Sequence, residues 1–309
     1  MRWVIEMFKT AFAEWSEDKA SRLAAALSYY SAVSLAPLLI VLLSIAGLVF
    51  GREAASGHIA GQVQGLVGQD RAQVIEDIIA NANKPATGVV SGVVGTIILL
   101  LGAAGVFGAL QDGLNTVWEV EPKPGRGVVG ILKDRFLSLT MVLGVGFLLL
   151  VSLVLSAALA LLGKYFAGVL PLHPLVLEVM NFVLSFGVIT LLFALMFKIL
   201  PDVEIAWSDV WIGAAITALL FTIGKVLIGL YLGRSTIGTT YGAAGSLVVI
   251  LIWIYYSAQI LFFGAELTQV YTNKYGSKIR PSKDAVQVTR DTRAEQGLST
   301  FKTRARANC

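Results

Sequence analysis

Six long apolar stretches divide this chain, at roughly Leu23–Phe50, Val89–Leu110, Phe136–Leu162, Leu175–Phe197, Val210–Leu232 and Ala243–Val270. Each is at least as long as the roughly 20 residues a helix needs to cross about 30 Å of hydrocarbon. A water-soluble fold of 309 residues could not coat six such helices, because too little polar surface would remain. Only 14% of the residues are charged and the mean hydropathy is +0.75, where soluble domains carry roughly 25% charged residues. The expected fold is all-α: a polytopic membrane protein with six transmembrane helices, an amphipathic N-terminal helix and a short helical outer loop.

Lys and Arg near membrane ends mark the cytoplasmic side. They gather in the N-terminal segment (Arg2, Lys9, Lys19, Arg22), after the second stretch (Lys123, Arg126, Lys133, Arg135), after the fourth (Lys198) and throughout the tail. The opposite loops hold Arg52, Arg71, Lys84, Lys164 and Arg234. Both termini are therefore expected in the cytoplasm, with a bacterial inner membrane as the natural home. The single cysteine, Cys309, cannot close an intramolecular disulfide and lacks the residues that follow a prenylated one. The N-terminus does not read as a cleavable signal, since its apolar residues are periodic rather than continuous.

Three regions follow. Residues 1–22 place Trp3, Val4, Met7, Phe8, Ala11, Phe12 and Trp15 on one helical stripe, which suits a helix in the membrane interface; packing against the bundle's inner end is the plain alternative. Residues 23–272 hold the six spans, with a loop at 51–88 whose apolar spacing predicts two short helices broken near Gly68. Residues 273–309 are polar and basic and are expected to be a disordered cytoplasmic tail, lying against anionic headgroups or simply solvated.

Ionisable residues inside spans are functional hypotheses by default. Lys225 falls in the outer half of the fifth span, about 10 Å deep, where it either snorkels to the headgroups or faces a polar cavity with Tyr255, Tyr256 or Gln259. Glu266 lies near the inner end of the sixth span, level with Ser28, Tyr29, Tyr30 and Ser31 of the first and with Gln111, Asp112 and Asn115 of the second. Asp112 and Asn115 share a helix face. These residues either line a pocket or tie helix ends together. Gly92, Gly95, Gly102, Gly105 and Gly108 smooth the second span, and Gly229 with Gly233 forms a Gly-xxx-Gly pair in the fifth; small residues let helices approach closely. Pro37 should kink the first span.

Enzyme signatures do not emerge. His58 and His173 are far apart in sequence, no His/Asp cluster suggests a metal, and no phosphate-binding loop is present. No cofactor is expected, and the basic tail without interleaved aromatics is a weak nucleic-acid signal.

Several motifs recur together in one family: Leu-Ala-Ala-Ala-Leu-Ser-Tyr-Tyr at 23–30, Gly-Val-Phe-Gly-Ala-Leu-Gln-Asp-Gly-Leu-Asn at 105–115 with Trp118, and Leu-Pro-Asp-Val at 200–203 with Trp207. Gly-Lys at 224–225, Gly-Leu-Tyr-Leu at 229–232, Tyr-Gly-Ala-Ala-Gly-Ser-Leu at 241–247 and Gly-Ala-Glu-Leu at 264–267 continue the series. The chain resembles the YihY/BrkB family of bacterial inner-membrane proteins from about residue 5 to 275. That resemblance implies six helices, cytoplasmic termini and no settled activity; a ribonuclease BN label carried by some members finds no nuclease site here. The family's recurring polar positions correspond to Tyr29, Tyr30, Gln111, Asp112, Lys225 and Glu266. The expected function is a transporter-like translocator of a lipid or small solute, with membrane lipids as partners. An envelope scaffold is the alternative, and an oligomer is compatible with the glycine-lined faces.

Overall fold

The computed structural model of the chain describes residues 2–34, 105–124, 174–234, 243–277 and 279–299. The predicted third span, the 51–88 loop, most of the first two spans, Pro37, both histidines and Cys309 lie outside the described residues. The ordered elements are α1 (Arg2–Glu17), α2 (helical residues 20–34), α3 (helical residues 105–117), β1 (Val120–Pro122), α4 (Pro174–Ile199), β2 (Val203–Glu204), α5 (Trp207–Arg234), α6 (Ala243–Tyr275), β3 (Arg280–Pro281), β4 (Ala285–Gln287) and α7 (Arg290–Glu295).

Among the described residues three helices are long and apolar enough to cross a membrane, over Phe182–Ile199, Trp207–Tyr231 and Leu247–Tyr275. They coincide with the fourth, fifth and sixth apolar stretches. Only 22% to 33% of each segment is buried within the protein, so most of their apolar surface faces lipid, as all-round apolar helices require. Helix α6, at 33 residues, rises about 50 Å and overruns a hydrocarbon core of about 30 Å. Its last turns therefore stand beyond the apolar layer.

Helix α5 packs against both α4 and α6. Phe221 of α5 meets Phe193 of α4 edge-on at 5.7 Å and Trp253 of α6 at 6.4 Å, pinning the three helices together. Between α5 and α6 the contact is reciprocal. A Cβ at Gly213 would collide with Thr268, and one at Gly264 would collide with Thr217. Each threonine hydroxyl donates to the carbonyl four residues back, Thr217 to Gly213 and Thr268 to Gly264, both at 2.7 Å. Its polar atom is thereby satisfied within its own helix. The rest of the side chain fills the notch opposite, the close approach that small residues permit in lipid. Gly229, half of the predicted Gly-xxx-Gly pair, meets nothing within 4 Å.

Helices α2 and α3 join the same core through Ala20, Ala24 and Leu27 with Leu110, Leu114 and Val117, against Phe262 and Ala265 of α6. Gly113 leaves room for the Phe262 ring, which a Cβ would meet at 2.5 Å, and Gly105 lies under the Tyr30 ring at 3.1 Å. Helix α1 runs along the end of α6. Met7 and Ala11 pack on Leu267 and Val270, Phe8 on Phe263 at 6.1 Å and Trp3 on Tyr275 at 5.8 Å. Trp3, Ile5 and Phe12 on its other side stay exposed.

The expected disordered tail requires correction: residues 279–299 are folded. Strand β4 pairs antiparallel with β1 (Val120 opposite Gln287), and β3 with β2 (Val203 opposite Pro281). Helix α7 is capped by Thr289, whose hydroxyl accepts from the Thr292 N–H, a standard way to satisfy an orphan helix donor. Low apolar content misled because backbone pairing with two short loops, rather than a core of its own, orders this segment. It closes one end of the helix bundle, hereafter the capped end.

Candidate functional site

The polar residues singled out in the sequence are dispersed in the fold. Glu266 of α6 is fully buried, and Asn115 of α3 is buried at 4% exposure. Gln111 is half-buried, whereas Asp112 and Lys225 are exposed. Tyr29 and Tyr30 are exposed and meet edge-on at 5.7 Å. Lys225 shares its surface with exposed Ile223, Val226, Leu227 and Leu230. Among the described residues no hydrogen bond or ion pair reaches it, neither from Tyr256 nor from Gln259.

Asn115 has a structural task. Its Nδ2 donates to Asp202 Oδ2 at 3.0 Å, and its Oδ1 accepts from the Asp202 backbone N–H at 2.8 Å. Both ends of one amide thus tie α3 to the turn between α4 and β2. Gln269 does the same across the core, donating through Nε2 to the Val117 carbonyl at 2.7 Å, which the end of α3 leaves without a helical partner. Asn115→Ala should lower stability by about 1–3 kcal/mol, the penalty for stranding polar groups away from water. A denaturant midpoint in detergent unchanged from wild type would refute this role.

A groove of about 380 Å³ runs between α1, α5 and α6, lined chiefly by Phe12, Trp15, Ile223, Leu227, Gln259 and Phe263. None of the seven predicted pocket residues lines it. Gly224 sets its depth, since a Cβ there would come within 2.7 Å of Tyr256 Oη and Ile260 Cδ1. Phe12, Ile223 and Leu227 are 61%, 50% and 58% exposed, so the groove opens sideways on a membrane-facing surface. Two polar atoms in its lining residues, Gln259 Oε1 and Trp15 Nε1, are shut from solvent without a hydrogen-bond partner.

At the capped end the charges interlock. Arg293 of α7 is 5% exposed and donates through Nη2 to the buried Asp18 carboxylate at 2.7 Å and through Nε to the Ser299 carbonyl at 2.7 Å. Its Nη1 lies 4.0 Å from Glu119. Lys19, next to Asp18, donates to the Gly297 carbonyl, and the Val288 N–H donates to the Glu119 carbonyl. Lys19 and Glu119 are the two non-glycine residues with positive φ among those described, at 52° and 57°. Such left-handed backbone costs about 1–2 kcal/mol per residue, and here both strained turns are held by the C-terminal segment. On α5, Asp209 accepts from the Ser277 N–H at 2.9 Å and hydroxyl at 3.0 Å, holding the end of α6.

A family model described as Virulence factor BrkB matches residues 11–289. The chain belongs to that family. The match runs through β3 and β4, so these strands of the cap lie within the shared region. Among curated relatives, the UPF0761 membrane protein of Rhodospirillum centenum is 29% identical over 267 residues, covering 83% of this chain and 55% of its own length. The relative in Tolumonas auensis is 30% identical over 197 residues (62% of this chain, 59% of its own), and that in Teredinibacter turnerae 26% over 295 (92% and 65%). The chain thus spans about 55% to 65% of the length of these relatives. No solved structure matches it.

Sequence reading missed the residues that close the cap. Arg293 sits 275 positions from Asp18, and no local pattern announces such a pair. The alternation Ala285-Val286-Gln287-Val288 and the helix-starting Thr289 were signals for β4 and α7. Trp15 was read as part of the stripe of α1 rather than as the wall of a groove.

Proposed function

We propose that this BrkB-family membrane protein is a transporter-like translocator of a lipid or small solute. The carrying observation is the fully buried Glu266 within a helix able to cross a membrane, because ionisable groups are kept inside such helices chiefly for a task. Lys225, exposed on the membrane-facing side of α5, and the groove opening on that side favour a lipid over a water-soluble cargo. The reading includes no catalytic step and no nucleic-acid partner.

The test is flux in reconstituted vesicles, using tail-labelled phospholipid and a panel of small solutes. Wild-type protein should move one of them, and Glu266→Gln should slow that movement at least about tenfold, equivalent to about 1.4 kcal/mol, while melting like wild type. Flux no greater than in protein-free vesicles for every cargo would sink the proposal.

The Asn115–Asp202 and Gln269–Val117 ties favour a second reading, an envelope scaffold, since they spend buried polar groups on holding elements together. Under it, Glu266→Gln leaves cellular function intact. For location we propose a bacterial inner membrane with both termini cytoplasmic, supported by Lys and Arg gathered at the capped end. Reporter fusions at the two ends should both read cytoplasmic.

A further inference from the structure

The groove between α1, α5 and α6 has a lining chemistry that selects its occupant. Its walls are aromatic and aliphatic, and its volume of about 380 Å³ lies within the roughly 300–1,000 Å³ usual for ligand sites. Its mouth is formed by Ile223 and Leu227 on a helix able to span a membrane, so what reaches it first is the bilayer itself. An acyl chain alone would satisfy the walls. It would leave two buried polar atoms, the Gln259 Oε1 acceptor and the Trp15 Nε1–H donor, without partners. An unmet buried polar group costs about 1–3 kcal/mol. A hydroxyl is the smallest group that answers both, because one O–H donates to the amide oxygen while its lone pairs accept from the indole. An ester or ether oxygen answers only the indole, and an ammonium only the amide.

We propose that this groove binds a membrane lipid bearing a free hydroxyl next to its acyl chains, the chains lying against Ile223, Leu227 and Phe263 and the hydroxyl facing Gln259 and Trp15. The inference rests on the lipid side of the proposed function for its role. The binding is measured separately from flux, so either can fail while the other stands.

The full chain in phosphatidylcholine nanodiscs is irradiated with a 1,2-diacylglycerol carrying a diazirine in one chain, in parallel with the same lipid capped as its methyl ether. Labelled peptides are then located by mass spectrometry. The alcohol should label the peptides of α1, α5 and α6 that line the groove about tenfold more than the ether, roughly one hydrogen bond's worth of affinity. Gln259→Leu, which keeps the shape, should bring alcohol and ether to the same level. Gly224→Leu, which fills the groove, should abolish both. Equal labelling of wild type by alcohol and ether would overturn the proposal and leave a bridging water as the partner of the two atoms. Labelling spread over the membrane-facing helices would overturn it too, as would crosslinks showing a second copy or another segment of this chain in the groove. Should Gly224→Leu melt well below wild type, Gln259→Leu alone decides.

Discussion

Replacing Arg293 with alanine is expected to unlatch the C-terminal segment from the bundle. The guanidinium is 5% exposed and serves three elements at once: Asp18 in the turn after α1, Glu119 in the turn after α3, and the Ser299 carbonyl beyond α7. Asp18 is fully buried, so removing its cation leaves a carboxylate with much of its compensation gone. Breaking a buried pair in this way costs about 3–5 kcal/mol. Arg293→Lys should recover little, because a single ammonium cannot reproduce a planar fork engaging three acceptors. The expected readouts are a lower melting temperature in detergent and rapid proteolysis between residues 276 and 290, which wild type resists. Adding Asp18→Asn to Arg293→Ala should cost less than the sum of the two single changes, since the second removes the stranded charge. Wild-type melting and protease resistance in Arg293→Ala would show that the latch holds nothing.

The second large effect is expected at the seam of α5 and α6. Gly264→Leu places a side chain where Thr217 already sits, and Gly213→Leu does the same to Thr268. Overpacking of a close-fitted interior costs typically about 1–3 kcal/mol and sometimes more. Here the collision involves the β-carbon of a residue on a rigid helix rather than the end of a flexible chain, which puts leucine at the upper end. These variants should fail to accumulate as folded protein. Gly264→Ala is the milder probe: alone it should lower stability, and combined with Thr217→Gly it should regain part of the loss, with a coupling above about 1 kcal/mol. Denaturation in mixed micelles measures the cycle. Strict additivity would mean that the notch does not set the helix separation. Gly229, which meets nothing within 4 Å, serves as control, and Gly229→Ala should be nearly silent.

Glycine shows the limit of sequence reading in this chain. A Gly-xxx-Gly pair at 229 and 233 is visible in the letters, yet the contacts form at Gly213 and Gly264, each paired with a threonine four residues later in its own helix. In an all-round apolar helix nothing local says which face turns toward a neighbour; that depends on where the other helix lies. The polar residues divide similarly. Asn115 was legible as buried and consequential, but its partner Asp202 lies 87 residues away. Lys225 was legible as an intramembrane charge, while its exposure could be known only once α4 and α6 had been placed around α5.

The letters by themselves determined membrane residence and the extents of α4, α5 and α6, because the length of an apolar run and the thickness of hydrocarbon are local quantities compared one segment at a time. Family membership was also written there, in short motifs such as those at 105–115 and 264–267. Tertiary structure alone decided that residues 279–299 fold, that α1 lies along α6 and walls a groove, and that Arg293 meets Asp18. Each of these rests on groups distant in sequence whose pairing gains free energy only after the bundle has brought them together and excluded water.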